Sequence, residues 1–200
     1  MGILNVTPDS FSDGGRFLDP AAAVRRGLGM AREGADLLDI GGVSTRPGAM
    51  EVAVDDELRR VLPVVRRLAE KVRVPLSVDT SSAEVAEEAL KAGAAVINDV
   101  TALRGDHGMG RVVAKHRAAV ILMHMRGTPR TMQRSPRYHD VVEDVAAFLA
   151  ERAEAAQQAG IRRDRILIDP GLGFGKTPAH NLRLMACLER FATLGFPIVV

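Results

Sequence analysis

The chain has 200 residues, 46% of them hydrophobic and 26% charged, with a net charge of +2. That balance describes one soluble globular domain with material for a sizeable core, and it excludes disordered, collagen-like and mucin-like classes. No apolar stretch nears the roughly 20 residues that span a bilayer, and the N-terminus lacks a charged segment leading into an apolar one, so a cytoplasmic protein is expected.

The pI near 9.0 comes from arginines spread through helical patterns. A nucleic-acid groove needs a clustered basic stripe with interleaved aromatics, and the six Phe and one Tyr are scattered, so no nucleic-acid partner is expected. Cys187 lies in an apolar helical pattern and reads as a small buried hydrophobe.

In chain order, six short apolar runs, 2–5, 36–39, 75–79, 95–99, 120–124 and 165–169, end on Asn5, Asp39, Asp79, the pair Asn98-Asp99, His124 and Asp169. Between them, segments 20–33, 55–71, 83–92, 109–115, 138–159 and 178–188 repeat apolar residues near every 3.6 positions, the mark of amphipathic helices. Asp19-Pro20 and Ser82 read as helix starts, and Gly34, Gly93 and Gly160 as helix stops. Short apolar strands alternating with helices predict a parallel sheet in an α/β fold, either a doubly wound open sheet or a TIM (β/α)8 barrel. In a barrel the strand C-termini line one face and build one pocket. A final run, 196–200, begins a seventh strand, so the barrel is expected to be incomplete: about six βα units, truncated at both ends, in a single domain over 1–200.

The loops carry the chemistry. After the first run comes NVTPDSFSDGG, from Asn5 to Gly15, whose two Asp, two Ser, Pro and Gly pair suit a long loop over a site. After the second comes GGVSTRPG, where glycines admit a ligand close to the backbone, hydroxyls can donate to phosphate, and Arg46 offers a planar fork for an anion. Asp79, Asn98 and Asp169 on one face complement a 2-amino-4-oxo pyrimidine edge: the carboxylates accept from amino and ring N–H groups, and the amide donates to a ring carbonyl. The sixth run continues as DPGLGFGK, where alternating glycines thin the pocket wall, Phe174 supplies an apolar face and Lys176 a cation. Its spacing is not that of a P-loop, and no zinc-ligand spacing appears. Asp39 and His124 read as structural.

Together, the motifs NVTPDSFSDGG, STRPGA, SVDT, INDV and DPGLGFGK resemble the dihydropteroate synthase family of pterin-binding TIM barrels from end to end. The resemblance implies a cytoplasmic transferase of folate biosynthesis that condenses a dihydropterin methyl pyrophosphate with p-aminobenzoate, releasing dihydropteroate and pyrophosphate. It implies Mg²⁺ as cofactor, with Asn5 as metal ligand; Thr45 and Arg46 on phosphate oxygens; and Asp79, Asn98 and Asp169 on the pterin, with Met123 packed on its ring. Asp79, Asp169 and Arg46 would carry the catalysis, and Phe11, Pro47 and Phe174 would wall the p-aminobenzoate pocket, where sulfonamides compete. It implies a homodimer at full length. Two departures stand out. Val43 occupies a place where the family often has Glu, and the family's seventh and eighth strands, which bring further Lys, Arg and His groups to the site, are absent, so the 200-residue chain alone is expected to be inactive or poorly folded. Two alternatives remain: a methyltetrahydrofolate-binding methyltransferase, against which the first loop and STRPG argue, and a noncatalytic pterin-binding paralogue or fragment.

Overall fold

The computed structural model describes residues 1–7, 19–44, 52–128 and 130–200. Strands and helices alternate throughout, and the described residues up to Asn98 form one compact unit and those from Asp99 another.

The first unit begins with strand β1 (Gly2–Asn5) and helix α1 (Pro20–Arg32). The expected start holds: Asp19 Oδ1 accepts the Ala21 N–H at 2.9 Å, and Pro20 fills a position where the missing N–H costs nothing. Strand β2 (Leu38–Gly41) leads to α2 (Val54–Ala69), which places Asp55, Asp56 and Glu57 in its first turn and Arg66 and Arg67 in its last, complementing the helix dipole at both ends. Strand β3 (Leu76–Asp79), helix α3 (Ala83–Lys91) with Ser82 as its N-cap, and strand β4 (Val96–Asp99) follow. The strands pair in parallel and in chain order, β1 with β2, β2 with β3 and β3 with β4. Leu38, Ile40, Val61, Val65, Leu68, Val78 and Ile97 are fully buried and make the core of this unit.

The second unit holds α4 (Met109–Lys115), β5 (Ala119–Met123), α5 (Val141–Gln158), β6 (Ile166–Asp169), α6 (Pro178–Ala186) and α7 (Leu188–Ala192). β5 and β6 pair in parallel. Helix α6 starts with a capping box in which Thr177 and His180 exchange side-chain and backbone bonds. The seventh run reaches this unit as a single parallel bridge, Ile168 to Ile198. Gly34, Gly93 and Gly160 follow α1, α3 and α5 with φ of 99°, 110° and 95°, the left-handed stops that their positions predicted. Among the described residues no helix is long and apolar enough to cross a membrane.

Two expectations need correction. The second strand does not stop at Asp39 but runs on to Gly41, which puts Asp39 mid-strand and 5% exposed. The last helical pattern is two helices broken at Cys187, whose φ of −114° and ψ of 28° leave helical geometry and whose side chain is only half-buried. One amphipathic stripe covers both, because a bend of this kind leaves the apolar spacing nearly intact.

Candidate active site

In the first unit, parallel register puts Asn5 beside Gly41, Gly41 beside Asp79 and Asp79 beside Asn98. Partnered residues of a parallel ladder point to the same side of the sheet, so these four positions form one row across four strand ends. Gly41 adds no side chain to the row; a Cβ there would sit in ordinary contact, 3.5 Å from Asn5 Oδ1 and 3.6 Å from Asp79 Oδ2. One step down the same face lie Ile3, Asp39, Ser77 and Val96.

These two layers touch through one bond. Asn98 Nδ2 donates to Asp39 Oδ2 at 3.0 Å. Burial pushes the Asp39 carboxyl above its ordinary range, with the Ser77 hydroxyl and the Asn98 amide opposing the shift. Among the described residues, Asp39 Oδ1, Ser77 Oγ and Asn98 Oδ1 are buried with no partner in strict hydrogen-bond geometry, although the Ser77 hydroxyl lies close enough to lower the Asp39 pKa. Such atoms are costly unless something else meets them, and of the three Asn98 Oδ1 belongs to the row at the strand ends. Asn98 also departs from the expected chemistry, since one of its two donors is already committed to Asp39. Sequence reasoning took Asp39 as structural, and here it is a buried residue that bonds Asn98 from the layer below; that Asp39 and Gly41 are two apart on one strand, and so share a face, is the signal for this pairing.

Asp99, next to Asn98, does a different job. It is fully buried; Oδ1 accepts from Thr101 N at 2.8 Å and Thr101 Oγ1 at 2.6 Å, and Oδ2 from Leu103 N at 2.8 Å. Those bonds hold Ala102 and Leu103 at φ of 52° and 64°, a left-handed turn that L-residues resist.

In the second unit, Met123 and Asp169 are register partners at the ends of β5 and β6. Asp169 Oδ1 accepts the Gly171 N–H at 2.6 Å. Burial pushes its pKa up to about 6, while Gly171 and Lys176 pull it back. Phe174 packs on a buried cluster of Val100, Met123, Met125 and Met132. Lys176 is 3% exposed, and burial brings its pKa down to about 7 against the pull of Asp169. Its Nζ lies 2.9 Å from His124 Nδ1 and donates to Phe174 O at 3.0 Å and His124 O at 3.3 Å. Burial, then Lys176 and Arg104, hold His124 near pKa 3, so the ring is neutral and its Nδ1 accepts from the ammonium. The partner that His124 needs as a structural residue is thus Lys176, a pairing not read from sequence.

Asn5, Asp79, Asn98, Met123, Asp169 and Phe174 are all placed. Phe11, Thr45, Arg46 and Pro47 lie outside the described residues.

A family model for pterin binding enzymes matches residues 1–200, so the chain belongs to that family. It is 47% identical over 200 residues to dihydropteroate synthase of Escherichia coli strain K12, covering all of this chain and 71% of that protein. Among solved structures, Xanthomonas albilineans dihydropteroate synthase with 4-aminobenzoic acid superposes with a TM-score of 0.91 at 55% identity, covering 98% of this chain and 70% of that one. A Yersinia pestis dihydropteroate synthase in a sulfonamide drug complex superposes with a TM-score of 0.93 at 48% identity, covering 98% and 71%. Within the pterin-binding enzymes the chain falls among the dihydropteroate synthases, which are transferases, and its α/β fold is that of their TIM barrel, present here as six βα units.

Proposed function

We propose that residues 1–200 belong to one pterin-binding domain that joins 6-hydroxymethyl-dihydropterin pyrophosphate to p-aminobenzoate, with Asp79, Asn98 and Asp169 binding the pterin. The observation that carries this reading is the row of Asn5, Gly41, Asp79 and Asn98, a polar edge with a glycine in it. Asn98 Oδ1, buried and without a hydrogen-bond partner among the described residues, adds to it, because a flat heterocycle with N–H groups on its edge would satisfy that atom. Met123, register partner of Asp169, packs on the ring, and Phe174 with Phe11 and Pro47 walls the aryl amine.

In the reaction the bond between the pterin methylene carbon and the pyrophosphate oxygen breaks, and a bond from that carbon to the arylamine nitrogen forms. Pyrophosphate leaves with the bonding pair, and the amine loses a proton. Thr45 and Arg46 hold the departing phosphate oxygens and offset their charge. Carboxylates at Asp79 and Asp169 favour the positive charge that spreads from the methylene into the ring. No side-chain nucleophile is needed, so no acyl or phosphoryl enzyme forms.

The reading includes Mg²⁺. Among the described residues no three His, Cys, Asp or Glu side chains group to hold a metal. A hard cation that keeps its waters and shares substrate phosphates needs few protein ligands, and the exposed Asn5 amide oxygen beside Gly41 fits as one of them. Bound there, the ion would neutralise charge on the pyrophosphate. Sulfonamides would compete with p-aminobenzoate for the Phe174 side of the site. A cytoplasmic homodimer completes the proposal.

The test is calorimetric titration with a pterin, alongside pyrophosphate release with and without p-aminobenzoate. Asp79→Ala and Asp169→Ala are expected to lose pterin binding, and Asn5→Ala to weaken Mg²⁺-dependent pyrophosphate binding only. Unchanged pterin affinity in both Asp variants would overturn the reading.

A further inference from the structure

The loop after β6 is held at every consecutive carbonyl around Phe174. Gln133 Nε2 donates to Gly173 O, Lys176 Nζ to Phe174 O at 3.0 Å, and Tyr138 Oη to Gly175 O at 2.7 Å, while Asn181 Oδ1 takes the Gly173 N–H at 2.9 Å. Of the three donors to these carbonyls, Tyr138 also brings its ring to within 6.0 Å of the His124 ring, and Lys176 hydrogen-bonds His124 itself. Its ammonium bonds the His124 carbonyl and ring nitrogen, and His124 directly follows Met123. The loop backbone can lie against β5 because Gly171 has no side chain; a Cβ there would run into His124 O. Gly175 allows the same next to Arg126, whose carbonyl oxygen would be 2.9 Å from an added Cβ.

An ammonium group has three protons, and here it meets three acceptors in a place that water barely enters. A buried cation that, among the described residues, hydrogen-bonds no carboxylate is an expensive way to tie two segments together if stability alone were served, because an apolar side chain of similar volume would pack there at less cost. What the cation supplies is geometry: it sets the Phe174 backbone at a fixed distance from the residue next to Met123.

We propose that Lys176, with His124 as its acceptor, is a positioning residue for the arylamine substrate, holding Phe174 against the Met123 cluster so that the wall of the p-aminobenzoate pocket is set before the substrate arrives. This rests on the reading of Phe174 and Met123 as substrate walls. Lys176 touches no substrate and acts through Phe174. Preorganisation of this kind shows in the affinity for the group that uses the wall and leaves other binding alone.

The experiment is steady-state kinetics of the intact protein, with separate KM values for the pterin pyrophosphate and for p-aminobenzoate. Lys176→Met keeps the chain length and removes the donor; its KM for p-aminobenzoate is expected to rise about tenfold, the effect of one lost charge-assisted hydrogen bond. Its KM for the pterin is expected to stay within about twofold. His124→Asn places an amide oxygen near the lost Nδ1 and is expected to retain p-aminobenzoate affinity, whereas His124→Phe is expected to behave like Lys176→Met. Should Lys176→Met fail to fold, the two His124 variants decide alone. Equal rises in both KM values, no change in either, or His124→Asn performing no better than His124→Phe would each overturn the positioning role. An intact wild-type protein that releases no pyrophosphate with p-aminobenzoate present overturns the proposed function itself, and the positioning role with it.

Discussion

The strand-end row of the first unit and the β6 loop of the second treat their polar atoms in opposite ways. In the row of Asn5, Gly41, Asp79 and Asn98 and the layer below it, Asn98 Oδ1, Asp39 Oδ1 and Ser77 Oγ have no partner in strict hydrogen-bond geometry among the described residues. In the loop from Gly171 to Lys176, three successive carbonyls, one loop N–H and the lysine ammonium are all bonded within the protein. A surface meant to read a ligand has to withhold bonds from itself; a surface meant to present one apolar wall must spend them all. The two regions thus divide recognition from preorganisation.

A large expected effect attacks the loop. Gly171 has φ of 67°, and a side chain there would strike the His124 carbonyl, so Gly171→Ala is strained twice over. A loss of about 3 kcal/mol or more in unfolding free energy is expected from urea titration. A loss under about 1 kcal/mol, the ordinary cost of Gly→Ala at positive φ alone, would show that the loop yields where the structure has it tightly held.

A smaller effect is expected in the row. Asp39→Ala frees the Asn98 amide to turn, which is expected to weaken pterin binding by about 1–2 kcal/mol in calorimetry, the scale of one buried hydrogen bond. Asp39→Asn preserves an acceptor and is expected to lose less. If both variants bind pterin as the wild type does, the lower layer takes no part in recognition.

A third test is a pH dependence. Lys176 titrates near 7 when folded against an ordinary 10.5. Between those values the unfolded chain holds a proton that the folded chain has released, so stability rises with pH over that window and the penalty for the buried cation is complete below it. The wild type is therefore expected to gain on Lys176→Met as pH climbs from about 7 to about 10.5, read from paired urea midpoints. A constant difference across the window would mean that the amine stays protonated in the fold.

Much of the architecture was legible because strand and helix differ in period and each buries its own face. All six strands and the helices carry their pattern in adjacent residues, and the signals at Asp19, Ser82, Gly34, Gly93 and Gly160 act within a turn of their own position. The misreadings fell where a local rule met a distant partner. A carboxylate after two leucines reads as the end of a strand, yet Asp39 sits inside one because an amide waits across the sheet to receive it. Cys187 continues an apolar stripe, yet the chain bends there into a second helix.

Asp79 and Asp169 at strand ends, and Phe174 among glycines, follow from the order of residues along the chain, since a strand that ends in a polar residue puts it at the rim wherever the strand is placed. Tertiary structure alone decided which buried groups answer one another. Asn98 meets Asp39 across 59 residues and Lys176 meets His124 across 52, and no periodicity reaches that far. Burial then does the rest: in a place that water barely enters, the worth of a polar atom depends on the one partner that packing brings to it.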